Sequence, residues 1–391
     1  MPRMIDEIPL SRPDITDDER RLVDMVLQSD RLAGGPMMEE FESLVAERTG
    51  RRHAVAVSSG TAGLHLSLLA LGIGPGDEVI TTPFSFIASS NCILFVGATP
   101  VFVDIDPVTL NMDPERIEAA ITPRTKAILA VEVFGNPGHM DRCRAIAAKH
   151  ELPLIEDACE GLGGAWKDRQ IGSFGRVAVF GFYPNKQITT GEGGMVVTDD
   201  DTIADACRSM RNQGRAIRSD GQRSNTLGMA FTHDRLGFNY RLPEINSALG
   251  VAQMRRLDHI LERRELVANE YIRLLLDTAD ILLPTVGPHA RMSWFVFVVR
   301  LADQYTAEER DRIMAGMHRH DIGAAPYFPC IHLQPFYRSK FGFEPGDFPI
   351  AESVCQRTIA LPFFNRMTLR EIDLVSQTLK LMISRENLKR T

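Results

Sequence analysis

Between residues 50 and 200 the chain alternates short apolar runs with segments whose apolar positions recur at helical spacing. Strands are predicted at 53–57, 78–82, 100–104, 127–133, 153–156, 177–182 and 194–198, and helices at 62–70, 86–96, 114–120, 140–150 and 202–210. Runs such as Ala127-Ile128-Leu129-Ala130-Val131 are apolar at every position rather than at alternate ones, which suits strands buried on both faces. Seven strands, the first five separated by helices, predict an α/β fold around a mostly parallel sheet covered on both sides. Asp113 and Pro114 supply an N-cap and an N1 proline for one of the helices.

From 242 to about 277 the pattern becomes long and helical, with Pro243 in the first turn and Leu249, Met254, Leu257, Ile260, Leu261 and Leu266 set among charges. This segment reads as a bridge. Beyond it come a strand at 294–301, a helix at 307–319 with Ile313 and Met317 on one face, and a helix at 369–381. The division expected is a large α/β domain over 1–255 and a smaller α+β domain over 256–391, with the N-terminal ~20 residues packing on the smaller one. Residues 211–239 are rich in Gly, Arg and Ser and lack periodicity, the mark of a functional or a disordered loop, and substrate contacts are expected from it and from around 326–334.

Composition narrows the function classes. The 391 residues are 44% hydrophobic, enough for a large core, with a net charge of −7. No Lys/Arg block marks a nucleic-acid or membrane-surface footprint, and no apolar run reaches membrane-spanning length. The first 21 residues are acidic and proline-punctuated, unlike a signal peptide. Six cysteines are scattered without a C-x-x-C pair, which argues against a metal site or disulfide framework and fits a reducing cytoplasm.

The strongest chemical signal is Lys186, in Phe180-Gly181-Phe182-Tyr183-Pro184-Asn185-Lys186-Gln187-Ile188-Thr189-Thr190-Gly191-Glu192-Gly193-Gly194. A lysine between two buried strands is poorly solvated, and a neutral amine there can form a Schiff base with an aldehyde. The glycines that follow allow a sharp turn and close approach to a bound ring or phosphate. These features point to a lysine that carries pyridoxal 5'-phosphate (PLP).

Other segments fit the same cofactor, each with a plainer alternative. Ser58-Ser59-Gly60-Thr61 precedes a helix whose N-terminus suits a phosphate, or Ser59 simply caps that helix. There is no Walker lysine. Glu156, Asp157 and Glu160 follow a buried strand, where a carboxylate can pair with a protonated pyridine nitrogen or merely cap the next segment. Phe84 and Phe86 could stack on a ring or pack in the core. Asn239 and Arg241 are anion ligands or solvated loop residues, and His332 is catalytic or structural. Gly161-Leu162-Gly163-Gly164 lacks the third glycine of a dinucleotide fingerprint.

Taken together, Arg31-Leu32-Ala33-Gly34-Gly35-Pro36, Ser59-Gly60-Thr61, Gly76-Asp77-Glu78-Val79, the run from Gly97 to Asp104, Glu156-Asp157-Ala158, Asn185-Lys186 with Thr189 to Gly194, Gly237-Phe238-Asn239-Tyr240-Arg241 and Leu361-Pro362 resemble the DegT/StrS family of PLP-dependent nucleotide-sugar aminotransferases. The wording around Lys186 is similar to the perosamine-synthase-like branch, which aminates C4 of a 4-keto-6-deoxy sugar nucleotide. The resemblance implies an aspartate-aminotransferase-like fold (PLP fold type I), with a seven-stranded large domain and a small C-terminal domain. It implies a ping-pong transfer from L-glutamate to a keto sugar nucleotide, in amino-sugar or polysaccharide biosynthesis, by a cytoplasmic homodimer with shared active sites.

By the same resemblance Lys186 is the Schiff-base lysine and Asp157 the partner of the ring nitrogen. Phe86 stacks on the ring, and Ser59, Gly60 and Thr61 hold the phosphate. Asn239 reaches that phosphate from the neighbouring subunit. Glu160 lies near the cofactor's phenolic oxygen, and Arg241 and His332 lie near the sugar. One departure is Gly181, where the family usually has a serine that donates to the phosphate. The rivals are a PLP-dependent sugar dehydratase, which would replace the lysine with histidine, and a catalytically silent PLP-binding regulator, which only Gly181 favours. A desulfurase lacks support, because none of this chain's cysteines sits in a recognisable nucleophile loop.

Overall fold

The computed structural model describes residues 7–216 and 232–390. Its strands in chain order are β1 (His53–Val57), β2 (Glu78–Thr81), β3 (Thr99–Phe102), β4 (Thr125–Val131), β5 (Leu154–Asp157), β6 (Ala165–Trp166), β7 (Arg169–Gln170), β8 (Val177–Gly181), β9 (Gly194–Thr198), β10 (Ile281–Leu282), β11 (Ala290–Arg291), β12 (Phe297–Leu301) and β13 (Thr358–Leu361). The large sheet has seven strands in the order β1-β9-β8-β5-β4-β2-β3. β9 is antiparallel to both neighbours, and the other pairings are parallel. The C-terminal ends of β1, β2, β5 and β8 therefore share one edge, where ligands bind in open α/β sheets. Because β9 runs the other way, its first residue, Gly194, lies at that edge too, opposite Val57 and Gly181.

The apolar strands are buried on both faces as the pattern requires: Val55, Leu129 and Val179 on one face and Ala56, Ile128 and Ala178 on the other are all 0% exposed. Predicted strand ends shift by a residue or two, as boundaries do. The larger differences have local causes. The long helical stretch breaks at Arg256 (φ −118, ψ 19) into helices Glu244–Arg255 and Leu257–Leu275. β12 begins at Phe297 rather than at 294, because Trp294 takes φ 50, outside the strand region. The last helix runs past 381 to Asn387.

Helices Asp17–Leu27 and Pro36–Thr49 were not foreseen. At least half of each is polar, and each buries only a few side chains, such as Leu22 and Val26 in the first, and Met38, Phe41 and Val45 in the second. The first starts with a capping box between Thr16 and Glu19. The second starts at Gly35 without a side-chain cap of its own. Glu244, 1% exposed and more than two hundred residues away, accepts the N–H groups of Gly35 (2.9 Å), Met37 (2.9 Å) and Met38 (3.1 Å). Glu244→Ala would leave those donors buried and unpaired. The expected loss is about 1.5–3 kcal/mol of unfolding free energy, read from urea denaturation.

In the C-terminal part, β10, β12 and β13 form a second sheet. Tyr271, Phe297, Leu361 and Leu379 fill its core, and Ile8 packs into the same cluster. The N-terminal segment is tied there by Gly323 N–H to Ile8 O (2.8 Å) and Phe363 N–H to Leu10 O (2.9 Å). No helix among the described residues is long and apolar enough to cross a membrane.

Candidate active site

Four strand ends converge on one cleft of roughly 680 Å³. After β1, Ser59 caps helix Gly60–Ala70, its Oγ accepting the Ala62 N–H at 3.1 Å. Gly60 and Thr61 are the helix's first residues, so its free N–H groups and positive dipole end face the cleft. Glycine is required nearby for closeness. A Cβ on Gly194 would stand 2.5 Å from the Ser59 carbonyl, and one on Gly60 would stand 2.6 Å from Cys159 Sγ. The result is a cradle of backbone and hydroxyl groups of the size and polarity that suit a phosphate.

Asp157 ends β5 and is 5% exposed. Its Oδ2 accepts from Ser89 Oγ at 2.6 Å, and its Oδ1 from the Cys159 N–H at 3.3 Å. Ser89 sits in the first turn of helix Ala88–Phe95 and also meets Ser85 Oγ at 2.9 Å. The carboxylate is thereby fixed in orientation.

Lys186 lies in the loop from β8 to β9. Phe182 closes that loop by donating to Gly193 O (2.9 Å) and accepting from Thr190 N–H (3.0 Å), while Gly191 turns it at φ 81. Lys186 Nζ stands 3.9 Å from the centre of the Phe295 ring and 3.4 Å from Glu160 Oε1. The other Glu160 oxygen accepts the Phe134 N–H at 2.8 Å. Burial pushes the Glu160 carboxyl above its ordinary 4.5, and the Lys186 charge opposes that shift.

Ser59, Gly60, Thr61, Phe86, Asp157, Glu160 and Lys186 all line this cleft. Phe86 is 59% exposed, a ring with an open face rather than a core residue. The opposite wall comes from the C-terminal part: Phe295, Tyr327 and Phe328, the last two stacked at 4.9 Å. The donor set fits PLP. A phosphate cradle and a carboxylate lie at separate points of one cavity, with a lysine amine and an unpaired aromatic face between its walls. The buried Asn185 Oδ1 beside Lys186 also lacks a partner.

The cleft of this chain does not include Asn239, Arg241 or His332. Asn239 is exposed on a segment whose next residue, Tyr240, accepts the Ser58 N–H at 2.8 Å, so it sits outside the cradle but beside it. Arg241 donates to Asn212 Oδ1 at 2.8 Å. Residues 217–231, most of the loop expected to touch substrate, lie outside the described residues.

His332 is fully buried, its Nε2 3.0 Å from Glu352 Oε1 and its ring 4.7 Å from that of Phe348. It anchors the segment that carries Tyr327 and Phe328. Burial holds its pKa below the ordinary 6.5, although Glu352, Asp347 and Asp104 pull the other way. The folded chain thus keeps His332 neutral while the unfolded chain takes up a proton, so stability is lost as pH falls below about 6.5. His332→Gln should narrow the gap between urea midpoints measured at about pH 8 and about pH 5.5. An unchanged gap would remove His332 as a source of acid lability.

Sequence reasoning missed Ser89 and Phe295, while the stretch around 326–334, expected to touch substrate, supplies Tyr327 and Phe328. Ser89 had a signal, since it stands three residues beyond Phe86 at the start of a helix leaving a strand end. Phe295 had none, since it reaches the cleft from more than a hundred residues beyond Lys186.

The sequence profile of the DegT/DnrJ/EryC1/StrS aminotransferase family matches residues 13–380. SpsC, a spore coat polysaccharide biosynthesis protein of Bacillus subtilis (strain 168), is 37% identical over 374 residues, covering 95% of this chain and 96% of its own. The structure of S. venezuelae DesV superposes with a TM-score of 0.87 at 33% identity, covering 96% of this chain and 98% of its own. The PLP form of Spr1654 from Streptococcus pneumoniae gives a TM-score of 0.91 at 26% identity, covering 97% of this chain and 100% of its own.

Proposed function

The chain belongs to the DegT/DnrJ/EryC1/StrS aminotransferase family and is a sugar aminotransferase of PLP fold type I, and we propose that it carries an amino group from L-glutamate to C4 of a 4-keto-6-deoxy sugar nucleotide. The observation that carries this reading is the single cleft holding Lys186, Asp157 and the Ser59–Gly60–Thr61 turn. The family is PLP-dependent.

In this reading the turn at Ser59 to Thr61 holds the cofactor phosphate, Asp157 holds its ring nitrogen protonated, Phe86 covers one ring face, and Lys186 holds its aldehyde. When bound, PLP supplies an electron sink for charge developing on a substrate carbon. Lys186 Nζ, displaced by the donor, takes the proton from the glutamate α-carbon and later returns a proton to the sugar carbon. Glu160 stands within reach of that amine to orient it. Glutamate leaves as 2-oxoglutarate, and the keto sugar leaves as the amino sugar. Phe295, Tyr327 and Phe328 form an apolar wall that excludes water and suits a deoxygenated sugar edge.

A second copy of the chain is proposed to complete the site. Phe86 (59% exposed) and Leu236 (82%) leave apolar surface uncovered on the single chain, and Asn239 is exposed beside the cradle. We also divide the chain near residue 255, where the helix breaks at Arg256, and place the reaction in the cytoplasm, in keeping with six unpaired cysteines.

The test is a visible absorption spectrum of the PLP-loaded protein, followed by L-glutamate and then a panel of keto sugar nucleotides. Glutamate should bleach the colour, and a 4-keto-6-deoxy sugar nucleotide should restore it with formation of the amino sugar by mass spectrometry. Restoration by 3-keto sugars alone would overturn the C4 reading. A colour that ignores glutamate would overturn the donor.

A further inference from the structure

Gly181 ends β8 at the rim of the cradle, yet its backbone does not call for glycine, since it is not among the glycines with positive φ. The reason for glycine there is a neighbour. A Cβ on Gly181 would stand 3.3 Å from Cys159 Sγ and 3.4 Å from Cys159 Cβ. The same sulfur would lie 2.6 Å from a Cβ on Gly60, and that Cβ would also be 3.4 Å from Gly181 Cα. Cys159 has little freedom to retreat, because it directly follows the buried Asp157 and Ala158 and its N–H is directed to Asp157 Oδ1. One sulfur is thus wedged between the first residue of the helix and the last residue of the strand. Burial and the Asp157 charge push the Cys159 thiol well above its ordinary 9.0, so the group at this spot is a neutral thiol.

We propose that Cys159 is a positioning residue that sets the width of the phosphate end of the cleft, and that its sulfur is what requires glycine at 181. With the sulfur in place, the cradle works through backbone N–H groups and the Ser59 and Thr61 hydroxyls, and a side chain at 181 has to push the Cys159 sulfur aside by a few tenths of an ångström. With the sulfur removed, a serine at 181 fits and adds a donor. This inference rests on the PLP reading of the cleft.

The test is a PLP titration of the apoprotein, wild type against Gly181→Ser, Cys159→Ala and the double variant, alongside thermal melting of each without cofactor. In the wild-type background Gly181→Ser should weaken PLP binding on the order of tenfold, because an overpacked site must shift its neighbours. In the Cys159→Ala background the same change should tighten binding, again on the order of tenfold, through the added hydrogen bond to a charged group. Melting should follow the same reversal in outline, with Gly181→Ser lowering Tm beside the cysteine and not beside the alanine. An effect of the same sign in both backgrounds, or no effect in either, overturns the wedge while leaving the cofactor assignment intact. A wild-type protein that binds no PLP overturns that assignment and this inference with it.

Discussion

Lys186→Ala should lower transamination by at least about 10³-fold, since general acid–base transfer alone contributes about 10²–10⁴ and the covalent hold on the cofactor is lost as well. The geometry makes the loss hard to compensate. Nζ is confined between the Phe295 ring at 3.9 Å and Glu160 Oε1 at 3.4 Å, and among the described residues no other lysine lines the cleft. Lys186→Arg separates charge from chemistry. It keeps a cation beside Glu160 but offers no nucleophilic amine, so it should be as inactive as the alanine variant while melting closer to the wild type. The alanine variant leaves the buried Glu160 carboxyl without its cation, which should lower the Tm of the apoprotein. Turnover within tenfold of the wild type in either variant would remove Lys186 from the mechanism.

The parts of this site that could be read from the sequence are those built by local rules. Ser59–Thr61, Asp157 and Lys186 each stand where an apolar strand ends, and parallel strands bring their ends to one edge whatever the loops do. Gly194 belongs to the same edge because β9 is antiparallel, which the apolar run Met195 to Val197 does not reveal. What stayed hidden depends on distant pairings. Glu244 caps a helix more than two hundred residues away, and helix Asp17–Leu27 buries only Glu19, Leu22 and Val26, one of them the acid of its own capping box. The apolar wall arrives from the C-terminal part, with no periodicity to announce it. His332 looked like a substrate ligand in its motif. In this chain it is buried, paired with Glu352 and not among the residues lining the cleft.

Asp157→Asn should leave the fold and PLP binding nearly unchanged yet reduce kcat on the order of 10²–10³-fold, the usual cost of removing one fixed charge from a reacting centre. The amide matches the carboxylate in shape, and its oxygen can still accept from Ser89 Oγ, so the local packing survives. Only the negative charge that would keep the ring nitrogen protonated is gone, and with it the electron sink. Ser89→Ala tests the same device from behind. The charge remains but loses the 2.6 Å hydrogen bond that orients it, so the expected fall in kcat is smaller, on the order of tenfold. If the asparagine variant instead loses PLP binding and keeps its turnover at saturating cofactor, Asp157 holds the ring in place without governing its chemistry. A smaller defect in the asparagine variant than in Ser89→Ala would show that the charge itself is dispensable, and the sink would have to be sought in another group of the cleft.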